Sequence, residues 1–168
     1  MPVLILLCGP SMAGKSTLAR RLAGERGLDV VSFDAINAER DLPFGGEGMP
    51  ETVWERTLEI GERRVRDRLE EGRHVVVDDT LCYRWLRDRF RTLAAASGAR
   101  AELLWLPALL DVLEARRQLL LASGARNVLS AAMLAAHVAS FEPPAADEPH
   151  VTILTPADAD RWLAGLVF

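Results

Sequence analysis

Apolar positions along the chain alternate between short unbroken runs and longer segments of helical spacing. Val3 to Cys8 is apolar at every position, which predicts a strand buried on both faces. Helical spacing follows from Lys15 to about Glu25, with Leu18 and Leu22 on one face and Gly27 as the stop. Asp29 to Phe33 predicts a second short strand ending at Asp34. Residues 35–50 are rich in Gly, Pro and charge and predict a loop with some helix, the kind of stretch that shapes a substrate pocket. From Glu51 to Glu71 the residues Trp54, Leu58, Gly61, Val65 and Leu69 share a face, and Gly72 ends that helix. Arg73 to Val77 leads into a third strand closed by Asp78-Asp79-Thr80, followed by a helix from Tyr83 to Ala96. Ala101 to Leu106 predicts a fourth strand, stopped by Pro107. Leu109 to Leu121 is helical, residues 122–127 interrupt it, and Leu129 to Ser140 resumes. Val151 to Leu154 predicts a fifth strand, and Pro156 opens a closing helix.

Strands alternating with helices predict an α/β domain with a mainly parallel sheet. One domain over residues 1–168 fits the length, and there is no internal repeat. The Pro- and acid-rich segment from Glu142 to Pro149 reads as a surface connection. About half of the chain is apolar, enough for a sizeable core.

Charge and cysteine content narrow the classes. The net charge of −4 argues against a protein that grips a long nucleic-acid backbone. Cys8 and Cys82 form neither a disulfide framework nor a metal motif, and a reduced cytoplasmic setting fits. The N-terminal apolar run is short and lacks a basic leader, so it reads as a strand rather than a signal peptide. No run approaches the ~20 apolar residues of a membrane span. Nineteen of the twenty cationic residues are Arg, and Lys15 is the only lysine. Arg serves wherever any cation will do, so the lone lysine marks a place that needs a compact ammonium.

Lys15 belongs to Gly9-Pro10-Ser11-Met12-Ala13-Gly14-Lys15-Ser16-Thr17, which satisfies G-x-x-x-x-G-K-[ST] between a strand and a helix. In that setting glycine lets backbone N–H groups turn around phosphate oxygens, and the helix start adds its positive end. Lys15 is placed to bridge the β- and γ-phosphates. The Ser16 hydroxyl is a ligand for Mg²⁺, and Thr17 lies beside the cradle.

Phosphoryl transfer needs a metal-holding carboxylate, and the end of Val75-Val76-Val77-Asp78 supplies one. Asp78 is assigned to the Mg²⁺ shell, and Asp79 to a cap or a substrate contact. Asp34, at the end of another strand, falls on the same rim of the sheet, where ligands gather. A carboxylate there that the metal does not use is a candidate general base. Arg116, Arg117 and Arg126 flank the Gly-containing break, and an arginine-bearing lid over about residues 116–130 would close on the transferring phosphate. Arg116 follows Leu113 by three and precedes Leu120 by four, which places it on the face of core leucines. The run Arg84, Arg87, Arg89, Arg91 reads as a solvated face, with Arg84 and Arg87 nearest to the strand end and within reach of a substrate phosphate. The three histidines have no ligand spacing, and the four tryptophans read as packing.

Taken together, these motifs resemble the small P-loop kinases: polynucleotide 5′-hydroxyl kinases, the kinase acting on seryl-tRNA in selenocysteine synthesis, zeta toxins and chloramphenicol phosphotransferase. The resemblance implies a P-loop NTPase fold, three layers α/β/α around a five-stranded sheet in the order 2-3-1-4-5. It implies Asp34 as the proton acceptor, the P-loop residues as the nucleotide site, and one of Arg116, Arg117 or Arg126 as the lid arginine. ATP and Mg²⁺ are the implied cofactors, and the guanine motif of GTPases is absent. Leu81 stands where the nucleic-acid branches carry Asn, and no appended RNA-binding or phosphatase domain is seen. A small-molecule hydroxyl is therefore favoured over a nucleic-acid 5′ end. The alternative is a nucleotide-binding regulator or slow NTPase that acts through a protein partner.

Overall fold

A computed structural model describes residues 1–46, 48–125 and 127–168. The strands are β1 (Val3–Cys8), β2 (Asp29–Ser32), β3 (Val75–Asp78), β4 (Arg100–Trp105) and β5 (Val151–Thr152). The helices are α1 (Lys15–Arg26), α2 (Phe33–Glu39), α3 (Glu51–Glu70), α4 (Arg84–Ala96), α5 (Leu110–Ala122), α6 (Ala131–Ser140) and α7 (Pro156–Gly165). The strands form one sheet in the order β2-β3-β1-β4-β5, and every pairing is parallel. This is the three-layer P-loop NTPase arrangement.

β1 lies at the centre, and its side chains explain why every one of its positions is apolar. Leu4, Leu6 and Cys8 enter the core that holds Leu58, Val65 and Phe90 of α3 and α4. Val3, Ile5 and Leu7 enter the opposite core, with Leu18 and Leu22 of α1 and Leu163 of α7. A strand covered on both faces has no side to spare for polar residues.

Several boundaries differ from expectation. β2 stops at Ser32 because its hydroxyl accepts from the Ala35 N–H, 3.3 Å away, and starts α2. Asp34 therefore sits in the first turn of a helix, where a carboxylate suits the positive end. The expected loop at 35–50 holds most of α2 and a short 3-10 turn at Phe44–Gly46. β5 ends at Thr152 rather than Leu154. The bond from Leu154 N–H to Asp158 Oδ2, together with the Thr155–Asp158 capping box, commits this stretch to α7. Among the described residues no helix is long and apolar enough to cross a membrane.

Two glycines give opposite mutational expectations. Gly61 faces Phe33 so closely that an added Cβ would lie 2.6 Å from the ring tip. The Phe33 ring is itself set edge-on to Phe90, with centroids 6.1 Å apart. Gly24 of α1 has nothing within 4 Å of the same position. Gly24→Ala should therefore stabilise by about 0.5–1 kcal/mol through helix propensity alone. Gly61→Ala should destabilise by roughly 1 kcal/mol, because overpacking of about 1–3 kcal/mol outweighs the same gain. Urea midpoints check both, and a Gly61→Ala midpoint above that of the parent chain would contradict the packing argument.

Candidate active site

The strand-to-helix turn after β1 is built as a phosphate cradle. At Gly9 a Cβ would lie 2.5 Å from the Leu106 carbonyl oxygen, so only glycine fits between β1 and β4. The Gly9 N–H donates to Thr80 O at 3.1 Å, tying this loop to the one after β3. Met12 has φ 66 and Gly14 has φ 108. A left-handed Met is costly, and here it lets the loop double back before α1. No side chain caps the start of α1 at Gly14. Its N–H groups are thus available to an anion.

Lys15 is 7% exposed, and its Nζ donates to Pro10 O at 2.8 Å. Burial pulls its pKa down, while Asp79, Asp78 and Asp34 pull it up. The reciprocal effect acts on the acids. Asp34 is an exposed residue, but partial desolvation at the cleft wall raises the pKa of its carboxyl, and the negative charges of Asp79 and Asp78 raise it further. Asp78 is raised by burial, against the Ser16 hydroxyl hydrogen bond and Lys15, which lower it. Asp79 is also raised by burial. Its Oδ2 accepts from the Leu81 N–H at 3.0 Å, holding Leu81 at φ 44. Three carboxylates thus share one lysine, an arrangement short of positive charge until a cation arrives.

Ser16 and Asp78 offer one hydroxyl and one carboxylate oxygen side by side. Among the described residues no group of three or more His, Cys, Asp and Glu could hold a metal alone. This sparse donor set fits Mg²⁺, which is commonly held by one or two protein oxygens while phosphate and water complete its shell.

A cleft of about 440 Å³ is lined by the cradle, by Asp34 and by a set of apolar side chains. Its lining includes Ser11, Lys15 and Ser16 together with Phe33, Trp54 and Tyr83. The structure thus brings together Lys15, Ser16, Asp34, Asp78 and Asp79, as the sequence predicts. Thr17 is exposed beside them, and its Oγ1 accepts from Arg20 at 3.2 Å.

The arginines divide differently from expectation. Arg116 is exposed and donates to Met12 O at 2.9 Å, so α5 does reach over the cradle. The reason given for it fails, however. Leu113 is the one buried residue of α5, and Leu120 is 39% exposed, so that face is no core face. Arg117 is engaged by Glu114 in a bidentate pair at 2.7 and 2.6 Å rather than by the cradle. Arg126 lies outside the described residues.

The basic run on α4 divides: Arg84 and Arg89 are exposed as a solvated face requires, Arg91 is half-buried, and Arg87 turns inward. Arg87 is fully buried, and its Nε and Nη2 donate to the two Glu148 oxygens at 2.7 and 2.8 Å. Its Nη1 donates to the carbonyls of Leu81 and Glu142. Glu148 is 2% exposed, so the segment from Glu142 to Pro149 contributes an interior carboxylate rather than a mere surface connection. Arg84 pairs with Asp147, Arg89 with Glu62, and Arg91 with Asp88 and Glu148. Neither Arg84 nor Arg87 lines the cleft.

Other wall residues escaped sequence reasoning. His137 of α6 lines the cleft, and its Nε2 is buried without a hydrogen-bond partner. Burial lowers its pKa, and the Lys15 charge lowers it further. Trp54 and Tyr83, read as packing or left unassigned, also face the cleft. They are linked through Trp85, which Trp54 meets edge-on at 5.8 Å and Tyr83 stacks against at 6.3 Å.

A family model described as an AAA domain matches residues 4–144. The chain belongs to this family. Among solved structures, the gluconokinase of Sinorhizobium meliloti 1021 aligns at TM-score 0.69 and 19% identity, covering 98% of this chain and 95% of that one. Chaetomium thermophilum Kti12, solved with ADP-AlF3, aligns at TM-score 0.75 and 15% identity over 98% of this chain and 100% of that one. At such identities the likeness is one of fold. A tRNA dimethylallyltransferase of Syntrophotalea carbinolica is 48% identical over 44 residues, 26% of this chain. The matching stretch spans only 14% of that curated relative.

Proposed function

We propose that the protein is an ATP-dependent kinase that transfers the γ-phosphate to a hydroxyl of a small molecule. One observation carries this reading: Asp34 and the cradle line the same cleft, together with apolar and aromatic side chains that a nucleotide phosphate chain does not need. In the proposed step Asp34 accepts the proton of the acceptor hydroxyl. The freed oxygen bonds to the γ-phosphorus, the bond from that phosphorus to the β,γ-bridging oxygen breaks, and ADP leaves. Lys15 and the N–H groups at the start of α1 hold the phosphate charge, and Arg116 is the lid cation. Ser16 and Asp78 would hold Mg²⁺, which supplies charge neutralisation to the phosphates. Arg117, already paired, would have to exchange Glu114 for nucleotide to take part, and the role of Arg126 rests on the resemblance alone. ATP is the proposed nucleotide, and the cytoplasm the proposed location.

Asp34→Asn tests the reading. It should lower acceptor-dependent kcat by about 10²–10⁴-fold while ATP still binds. The pH dependence has a defined sign. The base must be deprotonated, and its pKa is raised by partial desolvation and then by Asp79 and Asp78. Acceptor kcat/KM should therefore fall as pH drops through a value above the ordinary aspartate pKa. This acid limb should vanish in the Asn variant. Unchanged turnover in Asp34→Asn would remove the proposed base.

A second reading is a regulator or slow NTPase working through a partner protein. The exposed leucines of α5 favour it, with Leu119 71% exposed, as does the likeness in fold to Kti12. It predicts ATP hydrolysis that depends on Lys15 and responds to a protein rather than to an acceptor.

A further inference from the structure

We propose that the cleft lined by Asp34 and Asn37 takes an uncharged alcohol with an apolar, aromatic-sized body, oriented by an N–H donor from Asn37. This assignment rests on the kinase reading and narrows its acceptor.

The direction of the Asn37 amide follows from its neighbours. Arg40 can only donate, and its Nη1 donates to Val53 O and to the Thr57 hydroxyl oxygen. Thr57 Oγ1 has a single proton of its own, and it lies 2.7 Å from Asn37 Oδ1. That proton goes to Oδ1, so the Asn37 oxygen is spent inside the wall. Its Nδ2 is then the group left to face the cleft that Asn37 lines. A buried Thr57 and a nearly buried Asn37 hold this relay rigid. His137 lines the same cleft, with its Nε2 buried and unpartnered.

Much of the remaining lining is apolar, with Phe33, Trp54, Tyr83 and Met133 in it, although Thr80 and Asn127 add polar groups. Such a surface fits an aromatic or aliphatic body, with few polar points to fix its orientation. Charge works in the same direction. The cleft carries the carboxylates of Asp34, Asp78 and Asp79, and Lys15 is the one cation among its described lining residues. A carboxylate or phosphate on the acceptor would meet repulsion from these acids, and Arg40 is committed to Val53 and Thr57. Gly45 lies against Leu129, where even a Cβ would overlap its side chain, and both residues line the cleft.

The test compares four acceptors: 3-phenoxy-1,2-propanediol, gluconate, adenosine 5′-monophosphate and a 5′-hydroxyl oligonucleotide. ADP release is followed for each. Binding of the aryl alcohol is measured separately by tryptophan fluorescence with a non-hydrolysable ATP analogue present. The aryl alcohol should give a kcat/KM at least about tenfold above the other three, as expected for loss of one good contact and gain of an unpaired charge. Asn37→Asp keeps the bond from Thr57 but cannot donate. It should raise the aryl alcohol KM about tenfold, with a smaller change in kcat. Trp54→Ala, on a half-buried position, should raise the same KM and independently checks the apolar wall. If gluconate, the nucleotide or the oligonucleotide is preferred, the kinase reading stands and this acceptor class is wrong. If the aryl alcohol binds but no acceptor raises ADP release, the ligand class stands and the kinase reading is wrong. If the aryl alcohol neither binds nor turns over, the assignment is overturned.

Discussion

Lys15→Arg, although it keeps the charge, should lower kcat/KM for ATP by about 10²–10³-fold, the scale of removing one positioned donor from a transition-state clamp. The site explains why conservation of charge does not suffice. Lys15 is 7% exposed, and its Nζ already sits 2.8 Å from the Pro10 carbonyl. A planar guanidinium is larger than the ammonium it replaces and presents a rigid fork where a single point donor is held. It must either displace Pro10 and the left-handed Met12 or withdraw from the phosphates. Lys15→Met should lose at least as much, because Asp34, Asp78 and Asp79 then lose their common cation. Initial rates against ATP concentration, with a nucleotide-binding titration beside them, measure the effect. A Lys15→Arg variant within threefold of the parent would show that the lone lysine of an Arg-rich chain has no special task.

How far the sequence carried can be judged from particular residues. The cradle was legible because three independent signals coincide: an unbroken apolar run, the fixed glycines and lysine, and a helix behind them. The unbroken run is a consequence of β1 being covered on both faces, and the sheet order agrees with the family resemblance. The two arginines misjudged show where helical spacing helps and where it misleads. Arg87 shares its face with Phe90 and Ala94, three and seven residues on, and both are fully buried. That spacing was readable and pointed to the interior, but the crowd of neighbouring arginines hid it. Arg116 was placed by the same rule against Leu113 and Leu120, and there the rule fails. α5 buries only Leu113, so apolar residues on its surface do not define a core face. Periodicity reports which residues share a face, and only packing decides whether that face is covered. His137 had no local signal, since its place in the cleft depends on how α6 packs in the folded chain. Asn37 was hidden for another reason. Its role depends on Thr57, twenty residues away, and on Arg40 supplying the first proton of the relay.

Arg87→Met should destabilise the fold by roughly 3–5 kcal/mol, the cost of stranding a buried partner charge. In a chain of this size that lowers Tm by roughly 10 °C or more. The loss has two parts. Glu148 would keep only Arg91 as a cationic partner, and the carbonyls of Leu81 and Glu142 would lose a donor. Leu81 holds a left-handed backbone beside Asp79, so ATP turnover should also fall. Arg87→Met combined with Glu148→Leu should regain most of the stability, because an apolar pair of similar volume has no ions to desolvate. The pH dependence separates the charge from the packing. Burial would raise the Glu148 pKa, but hydrogen bonds from Arg87 and Arg91 prevail and hold it at about 2, below its ordinary 4.5. The unfolded chain therefore binds the extra proton first as pH falls, and folding stability declines with it. The contribution of Glu148 is fully present above pH 4.5 and is lost progressively as the pH falls towards 2. Urea unfolding at a series of pH values should show a shallower slope over this window in the double variant than in the parent. Equal slopes would mean that the Arg87–Glu148 pair stabilises by its shape alone. The fold would then owe this buried contact to packing around Leu81, with the charges incidental.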